Sequence, residues 1–193
     1  MNFNLFIVFF YSYLLGSIPF GLIITKFFIK KDIRKIGSGN IGATNVLRTG
    51  KKYLAALTLL LDVLKGFTAI FLTVRYYNDL IYFAGLICFI GHIFPIWLKF
   101  KGGKGVATYL GIILALSFEL AVVFGFVWLT ILFFFRYSSL SSIFSALIVF
   151  ISSLIFHNYS LNIFLFILFV ILLYAHKDNI IRLKNKTENK INF

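Results

Sequence analysis

The sequence predicts an all-α polytopic membrane protein with seven transmembrane helices, its N-terminus outside and its C-terminus cytoplasmic. Three observations predict it. Hydrophobic residues make up 61% of the 193-residue chain and charged ones 13%, more apolar surface than a water-exposed domain of this size can hide. The apolar residues run in long segments, most of them able to cross ~30 Å of hydrocarbon at ~1.5 Å per residue. The lysines and arginines gather between those segments rather than inside them.

Taken in order, the first apolar segment is Phe3–Phe28, interrupted by GSIPFG at 16–21. It has no basic leader and no small-residue cleavage site, so it is read as a mature helix. Leu54–Val74 follows, carrying Asp62 and Lys65, and then Leu80–Leu98, with His92 and Pro95 near its end. Val106–Phe135 is long for one span and short for two. Ser139–Phe156 and Leu161–Ala175 complete the series. A hairpin turning near Ser117–Glu119 puts every one of the 19 lysines and arginines except Lys65 and Arg75 on one face; a single span there would send the basic tail outside. The positive-inside rule therefore selects seven helices. The fourth and fifth come out short, which calls for tilt or a recessed loop.

The chain reads as one domain, 1–193. Its net charge of +13 fits orientation and attraction to anionic lipid. The basic residues flank spans and form no known binding module, so nucleic acid is excluded as a partner. One cysteine, Cys88, inside a span gives no disulfide framework.

Residues 37–42 read GSGNIG, the spacing of a dinucleotide-binding turn, with Asp62 about twenty residues on. That motif needs a strand before it and a βαβ unit around it; here it lies in a polar linker between apolar segments, and the dinucleotide reading fails. The linker instead interleaves glycines with Ser38, Asn40, Thr44 and Asn45, with Arg48, Lys51 and Lys52 beside them. Such a backbone can curl its N–H groups into an anion-binding concavity, or be a flexible link with a basic rim. FKGGKG at 100–105 offers a second glycine-basic element. It lacks the spacing of a nucleotide-hydrolysing loop, but Lys104 among glycines suits a phosphate; an interfacial lysine in a tight turn is the alternative.

Asp62 and Lys65 share a helix face, as an interior functional pair or a local ion pair that fixes packing. His92 is either functional or a structural hydrogen-bonding group beside Pro95. His176 lies just past the last span, with Asn179 on its helix face, or else serves as an interfacial anchor. His157 reads as a polar residue of an external turn. Ser142, the deepest hydroxyl of RYSSLSS at 136–142, is a candidate site group unless these serines are caps. No histidine pair has metal-ligand spacing, so no metal and no cofactor is assigned. From the residues alone an enzyme and a small transporter of phosphate-bearing solutes both stand. The short external turns RYYNDL, SFE and HNYS favour one-sided chemistry.

GSIPFG, GSGNIGATN, LDVLKG, GHIFP followed by FKGGKG, and HKDNIIRL, in that order, resemble the bacterial integral-membrane glycerol-3-phosphate acyltransferases that take acyl-phosphate as donor. The resemblance spans nearly the whole chain. It implies transfer of a fatty acyl group to the 1-hydroxyl of sn-glycerol 3-phosphate, giving lysophosphatidic acid and phosphate, on the cytoplasmic side of the bacterial inner membrane. It further implies a first substrate loop of Ser38, Gly39, Asn40, Thr44, Asn45 and Arg48, and a second of Gly102, Gly103, Lys104 and Gly105. His92, Ser142, His176 and Asn179 would complete the polar pocket, with Lys104, His176 and Ser142 in catalysis. Ala175 departs from the pattern, since a basic residue commonly precedes that histidine. The His-x₄-Asp pair of other glycerolipid acyltransferases is absent, because Trp97, Asn162 and Ile181 stand five residues after the three histidines.

Overall fold

The structure, a computed structural model, describes residues 3–156 and 158–191, with only the backbone of Phe156; His157 lies outside them. Among the described residues all regular structure is helical. The chain divides into two compact units, Met1–Ala115 and Leu116–Phe193.

In the first unit α1 (Phe3–Ser17) and α2 (Phe20–Ile29) are one apolar run broken at Ile18–Pro19. Proline has no N–H to continue the ladder. The helix restarts on its carbonyl, which accepts from Leu22 and Ile23 N–H, both at 3.0 Å. The linker carries a one-turn helix α3 (Ala43–Leu47) before α4 (Lys52–Tyr76), α5 (Ile81–Ile93) and α6 (Val106–Leu116). Small residues let these helices touch backbone to backbone, the usual substitute for a hydrophobic driving force in lipid. Gly16 and Gly91 seat α1 against α5, where a Cβ on Gly91 would stand 2.7 Å from the Tyr13 carbonyl. Gly66 and Gly111 bring α4 and α6 together in the same way. Tyr13 Oη donates to the Phe94 carbonyl (2.8 Å), and Trp97 Nε1 donates to Ser17 Oγ (2.8 Å), pinning the turn after α5 to the end of α1.

In the second unit α7 (Phe118–Phe135), α8 (Ser138–Phe156) and α9 (Tyr159–Ala175) pack in sequence. The short α10 (Lys177–Lys184) leaves α9 at a bend of 61°. The expected break near Ser117 is present: Ser117 is extended, accepts from Leu120 N–H (3.3 Å) and so caps α7, and donates to Glu119 Oε2 (2.8 Å).

The count of spans differs from the expectation. Among the described residues Phe3–Ile29, Lys52–Tyr76, Asn78–Leu98, Phe118–Phe135 and Ser138–Ile155 are long and apolar enough to cross, five in all, or six if the bent α9–α10 pair is one span. The eleven residues of α6 rise only ~16 Å, about half of the hydrocarbon thickness. The hairpin is there, and its first arm is short, as the sequence reading expected.

Candidate active site

The first-unit elements are built around two buried side chains. Asn45, 2% exposed, sits inside the GSGNIG loop and organises it. Its Nδ2 donates to the carbonyls of Ile33 (3.1 Å), Ile36 (2.9 Å) and Asn40 (2.7 Å), while Oδ1 accepts from Ser38 N–H (3.0 Å). Asn40 Oδ1 accepts from Gly42 N–H (2.8 Å) and turns the chain into α3. Gly37 and Gly39 take left-handed backbone (φ 54° and 71°) that a side chain would strain, and the aliphatic stem of Arg48 lies against Gly37. Thr44 stands in the first turns of α3, and exposed Ser38 and Gly39 form the outer edge. The sequence suggested Asn45 as a substrate ligand; its amide is instead occupied by the loop's own backbone.

One cation of this linker is already neutralised. Arg34 donates to Asp32 through Nε (2.9 Å) and Nη2 (2.6 Å), and its guanidinium holds the Asp32 carboxyl well below the usual carboxylate range.

His92, 4% exposed, carries the second loop. Gly102 N–H donates to the Ile93 carbonyl (2.9 Å) and Gly103 N–H to that of His92 (3.0 Å). A Cβ on Gly103 would overlap the His92 ring, and one on Gly102 the His92 carbonyl. These two amides therefore serve the end of α5 rather than an anion, a correction to the sequence reading: the last carbonyls of α5 need donors, and only glycine lets the loop come close enough to supply them. Gly105 lies in the same way against the Phe89 ring. Between Gly103 and Gly105, half-buried Lys104 is the cation this packing holds in place.

The third feature of this unit is the buried pair of α4. Lys65 Nζ stands 2.7 Å from Asp62 Oδ1, an ion pair within one face of α4. Nζ donates to the Ile18 carbonyl (2.8 Å) at the α1–α2 break. His92 Nδ1 is 3.7 Å from Asp62 Oδ1. Of the two readings left open, the local ion pair is the one built, and it extends to α5 and to the proline break.

In the second unit Ser142 is 1% exposed. Its Oγ donates to the Ser138 carbonyl one turn back (2.8 Å) and accepts from Trp128 Nε1 (3.1 Å). A nucleophilic part for this hydroxyl is not what the geometry provides, because its proton is committed within α8 and its oxygen ties α8 to α7. His176, 1% exposed, caps α9, and its Nδ1 is 2.9 Å from the Leu172 carbonyl. A carbonyl can only accept, so Nδ1 carries the ring proton and Nε2 is left as the basic nitrogen. Asn179 Nδ2 donates to Glu188 Oε1 (2.6 Å). Glu188 is the functional candidate that sequence reasoning missed. It also accepts from Ser139 Oγ (2.8 Å) and Arg182 Nε (2.7 Å).

These features define a multi-span helical membrane protein with basic, glycine-shaped loops in its first unit and a histidine–amide–carboxylate cluster in its second. A family profile described as glycerol-3-phosphate acyltransferase matches residues 6–186. The glycerol-3-phosphate acyltransferase of Pelagibacter ubique is 54% identical over 179 residues, 93% of each chain. That of Mesorhizobium japonicum is 48% identical over 99% of this chain and 98% of its own. Among solved structures, PlsY (YgiH), an integral membrane glycerol 3-phosphate acyltransferase, superposes in its glycerol 3-phosphate form with a TM-score of 0.93 at 36% identity, covering 98% of this chain and 96% of that one. Its lysophosphatidic acid form gives 0.90 at 35% identity. The chain belongs to the glycerol-3-phosphate acyltransferase family.

Proposed function

We propose that this protein transfers a fatty acyl group from acyl-phosphate to the 1-hydroxyl of sn-glycerol 3-phosphate, releasing lysophosphatidic acid and inorganic phosphate. The reaction takes place at the cytoplasmic face of the bacterial inner membrane, in one seven-span domain with its N-terminus outside. The observation that carries this reading is the near-complete match to PlsY in its glycerol 3-phosphate and lysophosphatidic acid forms. The acyl-phosphate donor is what the motif resemblance implies, and the lack of a His-x₄-Asp base pair agrees with a donor that is already activated.

The acceptor hydroxyl oxygen attacks the acyl carbonyl carbon. The bond from that carbon to the bridging phosphate oxygen breaks, and phosphate leaves with the electron pair. His176 Nε2 or the departing phosphate takes the hydroxyl proton. Lys104 steadies phosphoryl charge, and Ser38, Gly39 and Arg48 at the outer edge of the first loop contact the phosphate of a substrate. Asn40, Asn45, Gly102, Gly103, Gly105 and His92 hold the two loops in shape, and Ser142 holds α8 on α7. Positioning and charge stabilisation supply most of the acceleration, and no acyl-enzyme forms.

Detergent-solubilised protein tests the reading without a sealed compartment. It should convert acyl-phosphate and glycerol 3-phosphate, and Lys104→Ala should abolish conversion while the far-ultraviolet circular dichroism stays unchanged. Wild-type rates from that variant would overturn the role of Lys104. Radiolabelled acyl group retained on denatured protein after a single turnover would overturn the direct transfer.

A further inference from the structure

The two glycine loops lie far apart in the sequence, yet within the first unit the contacts of both lead to one turn of α4, residues 62–66. The second loop reaches it through His92. The Nδ1 of that ring faces Asp62 Oδ1 at 3.7 Å and has no hydrogen-bond partner among the described residues. At the other edge of the ring a Cβ on Gly103 would overlap Nε2, and Gly103 N–H donates to the His92 carbonyl (3.0 Å). The imidazole is therefore a spacer between Asp62 and the backbone that carries Lys104.

The first loop reaches the same turn through the proline break. Lys65 Nζ donates to the Ile18 carbonyl (2.8 Å), just before Pro19. Three residues on, Gly21 lies so close to the Ile41 carbonyl of the GSGNIG loop that a Cβ would overlap it, and Thr58 Cγ2 of α4 would stand 3.1 Å from that Cβ. Lys65 thus holds the point from which α2 starts, and α2 holds the first loop. The next residue, Gly66, lets the Thr108 carbonyl of α6 come in just as close, so the helix that Lys104 leads into is seated on the same turn.

Burying charges inside a span is costly, and a pair such as this is close to neutral against an apolar replacement, so stability does not explain its presence. Placement does. Each loop can hold an anion by itself, but transfer needs two substrates in line, and a misplacement of about 1 Å costs on the order of 100-fold.

We propose that Asp62 and Lys65 are positioning residues that set the spacing between the two substrate loops, Asp62 through His92 to Gly103, and Lys65 through Ile18 and α2 to Ile41. The inference rests on the acyl-transfer reading above. Neither side chain needs to touch a substrate. The loops keep their internal hydrogen bonds without the pair, so binding of each substrate survives its loss and their alignment does not.

The test is steady-state kinetics on purified, detergent-solubilised protein, with acyl-phosphate and glycerol 3-phosphate varied separately and unfolding temperature measured on the same samples. The double variant Asp62→Leu/Lys65→Met has no buried charge on this turn and should unfold close to wild type. Its kcat should nevertheless fall about 10- to 100-fold, with both KM values within about threefold. The exchanged pair Asp62→Lys/Lys65→Asp keeps opposite charges on one face but turns an ammonium to His92 and a carboxylate to the Ile18 carbonyl, and its kcat should be as low. Asp62→Asn keeps an oxygen for His92 Nδ1 and should restore kcat to within about fivefold of wild type, where Asp62→Leu loses at least about tenfold. Ile70→Val, a buried change further along α4, should lower the unfolding temperature and leave kcat unchanged.

Wild-type kcat in the double variant would reduce the pair to packing and overturn the inference. So would a rise in one KM that accounts for the whole loss, since the effect would then lie in one loop's ligand contacts and not in the spacing of the two. If the double variant does not fold, Asp62→Leu against Asp62→Asn carries the comparison, and equal losses of kcat there would again overturn the inference. Wild-type protein inactive with both substrates would overturn the acyl-transfer reading itself, and this inference with it.

Discussion

Removing the buried charges of α4 one at a time and together should give three unequal results. Lys65 Nζ and Asp62 Oδ1 are 2.7 Å apart, with side chains 2% and 3% exposed. At an effective dielectric of about 20 the attraction is about 6 kcal/mol, of the same order as the cost of withdrawing both ions from water. The pair is therefore close to neutral against an apolar replacement, and the damage comes from removing one member.

The two single losses differ because the survivors have different company. Lys65 without Asp62 keeps the Ile18 carbonyl at 2.8 Å and the Phe20 ring face at 5.6 Å. Asp62 without Lys65 keeps, among the described residues, His92 Nδ1 as its neighbouring donor group, at 3.7 Å and beyond hydrogen-bond distance. Lys65→Met should cost about 3–5 kcal/mol and Asp62→Leu about 1–3 kcal/mol. The double variant should lie within about 1–2 kcal/mol of wild type, since charge is then absent altogether. The assay is reversible unfolding in mixed micelles, titrated with an ionic detergent and followed by circular dichroism, as a double-mutant cycle. Single effects that add, or an Asp62→Leu loss larger than that of Lys65→Met, would refute the argument.

Two further outcomes follow from the loops and the tail. Gly103→Ala should cost about 1–3 kcal/mol, because its Cβ would overlap the His92 ring and stand only 2.9 and 3.0 Å from ring carbons that are buried and cannot swing away. It should also lower turnover by on the order of 100-fold if Lys104 moves by about 1 Å, whereas Gly125→Ala, with nothing within 4 Å of its Cβ, should leave both turnover and unfolding temperature near wild type. The second outcome concerns pH. The Glu188 carboxyl is lower in the folded chain, so the unfolded chain binds the extra proton and stability rises with pH through that interval. Its contribution should be complete above the ordinary glutamate range and be lost as pH falls through that range to the lower folded value. Unfolding temperature against pH should show this acid-side loss in wild type and a shallower one in Glu188→Gln.

What the sequence made legible is what short-range chemistry dictates. Pro19 must break a helix, Ser117 can cap one, and a run such as Leu54–Val74 must be a helix in lipid, so these elements stand where the sequence places them. The motifs also carried the family. The shortness of α6 was legible too, because a turn near Ser117 leaves only the eleven residues from Val106 to Leu116 for that arm. Asn45 and Gly103 were legible as loop residues but not in direction: nothing local tells whether an amide or a glycine faces inward or toward a ligand. Glu188 was the least visible, since its partner Ser139 lies 49 residues away, and a single glutamate in a basic polar tail carries no periodic signal.

The glycine loops show why motif and contact must be separated in such a protein. At a membrane boundary a helix end cannot leave its carbonyls to the solvent as freely as a water-exposed one, and the chain beyond it must supply donors. The 102–103 amides do this for α5, and the Asn45 side chain does it for the carbonyls of Ile33, Ile36 and Asn40. Small residues at these places are thus required twice, once to satisfy backbone and once to bring Lys104 or Arg48 to a fixed place. A substitution at such a glycine should lower turnover by displacing the loop rather than by removing a ligand contact. Loss of activity alone therefore cannot assign a residue to phosphate binding; a change in KM for one substrate, with the fold intact, can.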